Sequence, residues 1–118
     1  NITDEQIKEY YQSAFLTIIP LIESLQPSGQ SVALQSLMVG TPVMITRTSG
    51  FWDPKNFNND ENIIFVENNQ INEWVEKINK LFEDQASYKN LIKNGKIVVS
   101  KNYNLESFNK QLLDILST

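Results

Sequence analysis

The sequence has 118 residues, a net charge of −4 from 10 basic and 14 acidic side chains, and neither Cys nor His. This length suits one domain with a core, and the dispersed Lys and Arg residues exclude the basic surface of a nucleic-acid binder. The lack of Cys and His excludes disulfides, thiol nucleophiles, most zinc and haem sites and His-based catalysis, and it fits a reducing compartment.

The first part of the chain has the pattern of a helix followed by a buried strand. Thr3 and Gln6 have the spacing of a capping box, which predicts a helix from about Asp4 to Ser13. The next run, AFLTIIPLI from Ala14 to Ile22, is apolar on both sides of its alternation, as is typical of a strand buried on both faces. Because it is shorter than the ~20 residues of a membrane span, it predicts a strand of a soluble protein.

Two later runs have the same apolar, β-branched character. They are PVMIT, from Pro42 to Thr46, and NIIFV, from Asn62 to Val66. Helical or long connections separate the three strands, and this arrangement favours a parallel sheet. The Asn-rich stretch from Asn56 to Asn62 predicts a loop by its composition.

The last third of the chain has the pattern of three helices. Asn68 or Asn69 can cap the first, whose apolar stripe runs from Ile71 to Phe82. We expect the second over roughly Gln85 to Lys101, although the KIVVS segment within it can also be interpreted as a strand. Asn104 can cap the last helix.

This order of elements predicts an α/β fold. We expect a three-layer, Rossmann-like parallel sheet of about three strands in sequential order, with helices on both faces and a C-terminal helical segment. Such a unit is about half of a doubly wound domain, so we expect residues 1–118 to be a single partial domain of a larger protein. Ligands of these sheets gather at the carboxyl ends of the strands.

The segment that opens the second helix, QPSGQS, is a candidate ligand site. Pro27 keeps the chain extended, Ser28 is a natural N-cap, and Gly29 to Ser31 are then the first helical residues, with backbone N–H groups that have no partner inside the helix. A helix start at the carboxyl edge of a parallel sheet can bind a phosphate or another anion. The alternative is that Ser28 simply caps the helix and water takes the remaining N–H groups.

Gln35 is a polar residue within the apolar part of the same helix. It lies one and a half to two turns beyond Gln30 and Ser31, so its amide can reach the same edge of the helix. It is either a hydrogen-bonding group that faces a ligand or an exposed residue without a role, and spacing leaves both open.

With QPSGQSVALQSLMVGTPVMIT in this order of elements, the chain resembles the C-terminal, donor-binding domain of GT-B glycosyltransferases, in particular glycosyltransferase family 4. GTPV, from Gly40 to Val43, matches the family's pattern. DENIIFVENN, from Asp60 to Asn69, resembles its dGeNGllv strand, and the stretch from Asn90 to Phe108 resembles its closing helices. The similarity covers nearly the whole chain, and its specific part is the central stretch.

The resemblance implies roles for the residues of this helix. Counted back from Gly40, Gln35 stands at the place of the family's second Glu, which holds the ribose of the nucleotide, and glutamine can still bond hydroxyls. The first Glu, which contacts the donor sugar, falls on Pro27. Sugar recognition is then expected at Gln26, Ser28 or the backbone from Gly29 to Ser31, of which Gln30 is part.

The loop after the second strand, RTSGFWD, falls where the family has a Gly-containing loop. Arg47, Ser49 and Gly50 are therefore candidates for contact with a phosphate or an acceptor, although a loop arginine is often only solvated. Phe51 and Trp52 either line the acceptor side of the cleft or cover the end of the sheet, and we favour the second interpretation.

The resemblance implies a parent enzyme that transfers a sugar from a nucleotide-sugar donor to a saccharide or lipid-linked acceptor. It implies no cofactor and no metal, a cytoplasmic location that extends to the inner face of a membrane, and an isolated fragment that is inactive. The first strand is expected to expose an edge through which the fragment self-associates. Alternatives are a non-catalytic nucleotide or sugar-phosphate binding module and a flavodoxin-like interaction domain.

Overall fold

The computed structural model describes residues 15–21 and 29–103, which form three strands and three helices. The strands are β1 (Thr17–Ile19), β2 (Val43–Thr46) and β3 (Ile64–Val66), and the helices are α1 (Gln30–Met38), α2 (Ile71–Glu83) and α3 (Gln85–Asn102). The helices predicted at Asp4–Ser13 and after Asn104 lie outside the described residues. No described helix has both the length and the apolar character that a membrane crossing requires.

The three strands pair in parallel in the order β1-β2-β3. Thr17 is opposite Val43, and Met44 is opposite Ile64. The prediction of a parallel, sequentially ordered sheet is confirmed. Its cause is the composition of the strands, because short apolar runs can be buried only if both faces of the sheet are covered.

Helices cover both faces of the sheet, so the layers are also as predicted. On one face, Val43, Ile45 and Phe65 pack against α1 and the end of α3; on the other, Met44, Ile64 and Val66 pack against α2 and the middle of α3. Alternate strand residues therefore go to opposite cores, as the two-residue period of a strand requires.

Strand β1 is an edge strand of the described sheet, and its burial differs from the prediction. Ile18 is 46% exposed, whereas Met44 beside it is fully buried. The expectation of a strand buried on both faces is wrong at this position. Among the described residues, the helices on this side pack over β2 and β3 and leave the side chain of Ile18 uncovered.

Helix α3 includes the ambiguous KIVVS segment, which confirms the helical interpretation. Its residues Val98 and Val99 are buried against the α1 side of the sheet. Gly95 lets α3 approach α1 closely, since a Cβ at this position would lie 2.9 Å from Cδ2 of Leu37 in α1.

Helix α2 begins after Gln70, and neither Asn68 nor Asn69 is its N-cap, so that prediction is wrong by one or two residues. Asn69 instead has a left-handed φ of 53° and uses its side chain elsewhere. The amides of Glu67 and Asn68 donate to the carboxylate of Glu73, each at 2.8 Å. Glu73, in the first turn, thus fixes the segment that leads into the helix and does not cap the helix itself.

Candidate functional site

The carboxyl ends of the three strands meet at one edge of the sheet, hereafter the carboxyl edge. Leu21 follows β1, Arg47 follows β2, and Glu67 follows β3. The amide of Arg47 still donates to the carbonyl of Val66 at 3.0 Å, so the pairing of β2 with β3 continues up to this edge. This is the edge at which the sequence predicts a ligand.

Helix α1 starts at this edge and runs back along the sheet. A Cβ on Gly29 would lie 3.0 Å from Cγ2 of Ile19 and 3.4 Å from Cδ1 of Ile45, the last or next-to-last residues of β1 and β2. Near the other end of the helix, the Ser36 hydroxyl lies 2.8 Å from Oγ1 of Thr17, at the start of β1. The helix start and the carboxyl ends of the strands are therefore on the same side.

The first helical residue is Gln30, and Gly29 precedes the helix with φ 77° and ψ 4°. The prediction that Gly29 belongs to the helix is wrong by one residue, because its left-handed conformation, which glycine adopts without strain, lies outside the helical region. The first helical bond runs from the amide of Ala33 to the carbonyl of Gly29 at 2.9 Å. The amides of Gln30, Ser31 and Val32 thus have no partner within the helix.

Two of the candidate donor-site residues, Gln26 and Ser28, lie outside the described residues, as does Pro27. Gln35 is described and is 8% exposed. It lies four residues after Ser31, so the two side chains share one face of α1. The structure thus brings Gln30, Ser31 and Gln35 together on one helix whose start is at the carboxyl edge.

Arg47 lies at the carboxyl edge, but its charge is already paired. Its Nε is 2.7 Å from Oε1 of Glu67, and its guanidinium lies 4.0 Å above the ring of Phe65. Ser49 and Gly50 are in the turn that follows, which is closed by a bond from the amide of Phe51 to the carbonyl of Thr48 at 3.2 Å.

Phe51 and Trp52 belong to an aromatic cluster at the end of the sheet. The Phe51 ring meets those of Phe57 and Phe65 edge to face, with centroids 5.8 and 4.9 Å away. The Trp52 ring lies 4.0 Å from that of Phe51. Both side chains are partly buried against the core, which agrees with the interpretation that they cover the sheet.

A closed ring of hydrogen bonds joins the ends of the three strands, and the sequence did not predict it. The amide of Leu21 donates to Oγ1 of Thr46 at 2.9 Å, and the Thr46 hydroxyl donates to Oδ1 of Asn69 at 3.2 Å. Nδ2 of Asn69 donates back to the carbonyl of Leu21 at 3.2 Å. The local signal was the Asn-Asn pair after β3, which we interpreted only as a helix cap.

A second feature that the sequence did not reveal is a contact between Tyr103 and Asp53. The Tyr103 hydroxyl donates to Oδ2 of Asp53 at 2.5 Å. Burial raises the pKa of Tyr103, and the Asp53 carboxylate raises it further because it favours the protonated hydroxyl. Asn56 donates to the same carboxylate at 2.9 Å. This group ties the loop after β2 to the end of α3.

Two cavities lie away from the carboxyl edge. One, of about 220 Å³, is lined by residues that include Ile64 at the start of β3, Lys80 and Asp84, and the other, of about 290 Å³, by residues that include Asn94 and Lys101. Neither is lined by a predicted site residue. Within residues 15–21 and 29–103, no three His, Cys, Asp or Glu side chains are grouped so that they could hold a metal.

Comparison with known proteins identifies the family. The sequence matches the family described as glycosyl transferases group 1 over residues 1–98. The chain belongs to this family. The resemblance found in the sequence is thereby confirmed, and so is the expected fold.

Solved structures with the same fold include one described as a glycosyl transferase group 1 family protein. The C-terminal domain of LpcC from Francisella tularensis superposes with a TM-score of 0.69 at 23% identity, over 88% of this chain and 51% of that one. HepE from Anabaena, in complex with UDP and glucose, superposes with a TM-score of 0.69 at 19% identity, over 96% of this chain and 30% of HepE. The complex of HepE with UDP-glucose superposes with a TM-score of 0.70 at 18% identity, over 95% of this chain and 30% of HepE. The chain thus spans about half of the first and about a third of the second. No protein of curated function matches it significantly.

Proposed function

We propose that the chain is the second half of the donor-binding domain of a glycosyltransferase. The parent enzyme transfers a sugar from a nucleotide-sugar donor to a saccharide or lipid-linked acceptor. The observation that carries the proposal is the start of α1, where three amides without helical partners lie at the carboxyl edge of a parallel sheet in a chain of this family. The UDP and UDP-glucose held by HepE support the class of ligand.

The diphosphate binds at the helix start. The amides of Gln30, Ser31 and Val32 donate to its oxygens, and the positive end of the helix dipole favours its charge. Gly29 lets the helix start pack closely on the ends of β1 and β2, where a Cβ would meet Ile19 and Ile45. Ser28 and Gln26, which precede it in sequence, remain candidate contacts to the phosphate and the sugar.

Gln35 holds the ribose through its side-chain amide, which can donate to one hydroxyl and accept from another. Its partly enclosed position limits the rotamers available to it, so less side-chain entropy is lost on binding. Pro27 stands where the family has the Glu that contacts the sugar, so the sugar is recognised by other groups.

Transfer forms a bond between the anomeric carbon and an acceptor hydroxyl oxygen and breaks the bond from that carbon to the diphosphate. The diphosphate leaves with the electron pair, and the hydroxyl proton is released. The helix amides stabilise the charge that develops on the leaving diphosphate, which lowers the barrier. The proposal includes no resident metal, and the isolated fragment is inactive because the rest of the enzyme is needed.

The location proposed for the parent enzyme is the cytoplasm, including the inner face of the membrane when the acceptor is lipid-linked. The isolated fragment self-associates through β1, which stands at the edge of the described sheet. Along this edge the backbone N–H and C=O groups have no neighbouring strand among the described residues, and the exposed Ile18 side chain adds apolar surface beside them.

The test is a titration of the full-length protein with UDP, GDP and ADP, followed by calorimetry and by amide NMR. We expect one of them to shift the resonances of Gly29 to Ser31 and of Gln35. Gln35→Leu should weaken binding about tenfold, as expected for the loss of a ligand hydrogen bond, whereas Gln35→Glu should keep it. Ser36→Ala is the matched control, because this neighbouring hydroxyl bonds Thr17 at the opposite edge. Absence of binding by all three nucleotides would overturn the proposal.

A non-catalytic binding module is the second candidate, because Pro27 replaces the residue that contacts the sugar. Release of free nucleoside diphosphate together with a glycosylated acceptor excludes it. Binding of the nucleotide without turnover, with a panel of sugar donors and acceptors, would favour it.

A further inference from the structure

The hydrogen-bonded ring of Leu21, Thr46 and Asn69 involves the chain at the point where it leaves β1. Both backbone polar groups of Leu21 are held, the amide by Thr46 and the carbonyl by Asn69. The third bond joins the two side chains to each other. Such a closed set orients each member, since each of the three residues donates one bond of the ring and accepts another, and the bonds strengthen one another.

Each side chain in the ring is itself held in place. Thr46 is the last residue of the central strand and is 5% exposed. Asn69 is solvent-exposed, but its φ of 53° fixes the direction of its side chain, and the indole Nε1 of Trp74 donates to its Oδ1 at 3.1 Å. The ring therefore fixes the position of Leu21 relative to β2 and to the start of α2.

Leu21 and Gly29 are the two ends of the connection that leads from β1 to the helix start. Seven residues separate them in sequence. At the second end, Gly29 is packed so closely on Ile19 and Ile45 that a Cβ has no room. The helix start is thus placed by the packing of Gly29 on Ile19, two residues before Leu21, and on Ile45, which precedes Thr46.

We propose that Thr46 and Asn69 are positioning residues of the donor site, which act through Leu21 to hold the helix-start amides where a nucleoside diphosphate binds. This inference deepens the proposed function and rests on it for the ligand. A brace of this kind lowers the cost of binding, because the amides are ordered before the ligand arrives.

Four uncharged substitutions in the full-length protein separate this role from a general loss of stability. Thr46→Val keeps the shape and removes the hydroxyl, and Thr46→Ser restores the hydroxyl. Asn69→Gly removes the amide and keeps the left-handed backbone accessible. Ser87→Ala is the control, because it removes a side-chain bond to Asp84 beside the start of β3, away from the ring.

Two readouts are used. The first is amide hydrogen exchange at Leu21 and at Ala33, whose bond to Gly29 is the first of the helix. The second is the affinity for UDP, GDP or ADP, whichever the wild type binds best, together with KM and kcat for transfer. We expect Thr46→Val and Asn69→Gly to speed exchange at both amides and to raise the dissociation constant and KM about three- to tenfold with little change in kcat. Thr46→Ser and Ser87→Ala should stay within about twofold of the wild type in each of these quantities.

The two proposals fail in different ways. If the wild type binds none of the nucleotides, the proposed function is wrong, and exchange at Ala33 still decides whether the ring positions the helix start. If exchange rises at Leu21 and not at Ala33, or if affinity is unchanged in Thr46→Val and Asn69→Gly while the wild type binds, the ring is a local brace and the positioning role is overturned.

Discussion

The Nε atom of Arg47 lies 2.7 Å from Oε1 of Glu67, so the residues that follow β2 and β3 neutralise each other at the carboxyl edge. Their side chains are 43% and 49% exposed, and an exposed pair of this kind adds at most about 1 kcal/mol to stability. Its larger consequence is electrostatic. The pair reduces the positive charge that Arg47 alone would present to an anionic ligand.

Glu67→Gln removes the neutralising carboxylate from this edge. We expect nucleoside diphosphates to bind about two- to fivefold more tightly at low ionic strength, with a gain that shrinks at high salt because the charge is screened. Calorimetric titration at two salt concentrations measures the gain in affinity and its dependence on salt. Glu83→Gln, at the far end of α2, is the control, and an equal gain with it would show that only net charge matters.

Gly29→Ala tests the helix start. A side chain at φ 77° and 3.0 Å from Ile19 is strained, so we expect a loss of about 1–2 kcal/mol in the free energy of unfolding and at least about tenfold weaker nucleotide binding. Gly40→Ala is the matched control for strain, since Gly40 also has a positive φ, of 93°, and a Cβ there would meet Lys96 at the opposite edge of the sheet. Gly40→Ala should lose similar stability and keep the wild-type affinity for the nucleotide. Equal nucleotide affinity in the two variants would contradict a binding site at the start of α1.

Glu73 should make stability depend on acid pH. The amides of Glu67 and Asn68 lower its pKa, and Lys77, 3.5 Å away, lowers it further. Its contribution is therefore present above the unfolded pKa of about 4.3 and is lost as the pH falls through the lower folded pKa. Urea unfolding at pH 7 and at lower pH measures this loss.

Glu73→Gln should be less stable at pH 7 by about 1 kcal/mol, because charged hydrogen bonds to two backbone amides are weakened, and should show a shallower acid decline. Glu76→Gln, on the same helix, is the control. If Glu73→Gln and the wild type decline in parallel, the carboxylate is not the group that titrates.

Tyr103 should make stability depend on alkaline pH. Its pKa is raised by burial and by Asp53, so the unfolded chain loses the hydroxyl proton first. Stability is full below about pH 10 and falls as the pH rises toward the folded pKa. Tyr103→Phe should cost about 1–2 kcal/mol at neutral pH and decline less above pH 10.

Urea unfolding at a series of alkaline pH values measures the loss of stability, and the absorbance of tyrosinate measures the ionisation of the tyrosines. A residual alkaline decline is expected in Tyr103→Phe, because burial also raises the pKa of Tyr88. A decline as steep as that of the wild type would show that the hydroxyl of Tyr103 is not responsible.

The strands, their order and the helical character of KIVVS were predictable because each follows from a local pattern. Apolar runs such as that of β2 can be buried only between two layers, and Leu91, Gly95 and Val98 have the spacing of one helix face. The exposure of Ile18 was not predictable in this way, since it depends on which strand stands at the edge of the sheet.

The site was predictable in part. The free amides at the start of α1 follow from Pro, Ser and Gly before an apolar helix, although Gly29 itself lies one residue outside it. The ring of Leu21, Thr46 and Asn69 was not, because its members are brought together only by the folded sheet. The bonds from the amides of Glu67 and Asn68 to the carboxylate of Glu73 were not predictable either, because they depend on how the chain turns between β3 and the helix.

The parallel pairing of β1, β2 and β3 has a consequence for folding. No two of these strands can form a hairpin, so each pairing must wait until the intervening helix or loop has closed, and such distant contacts are slow to form. The pair α2 and α3, separated only by Asp84, can assemble first. We expect the ring at the carboxyl edge to form last, since it needs all three strands, so a folding chain would gain its nucleotide affinity only in the final step.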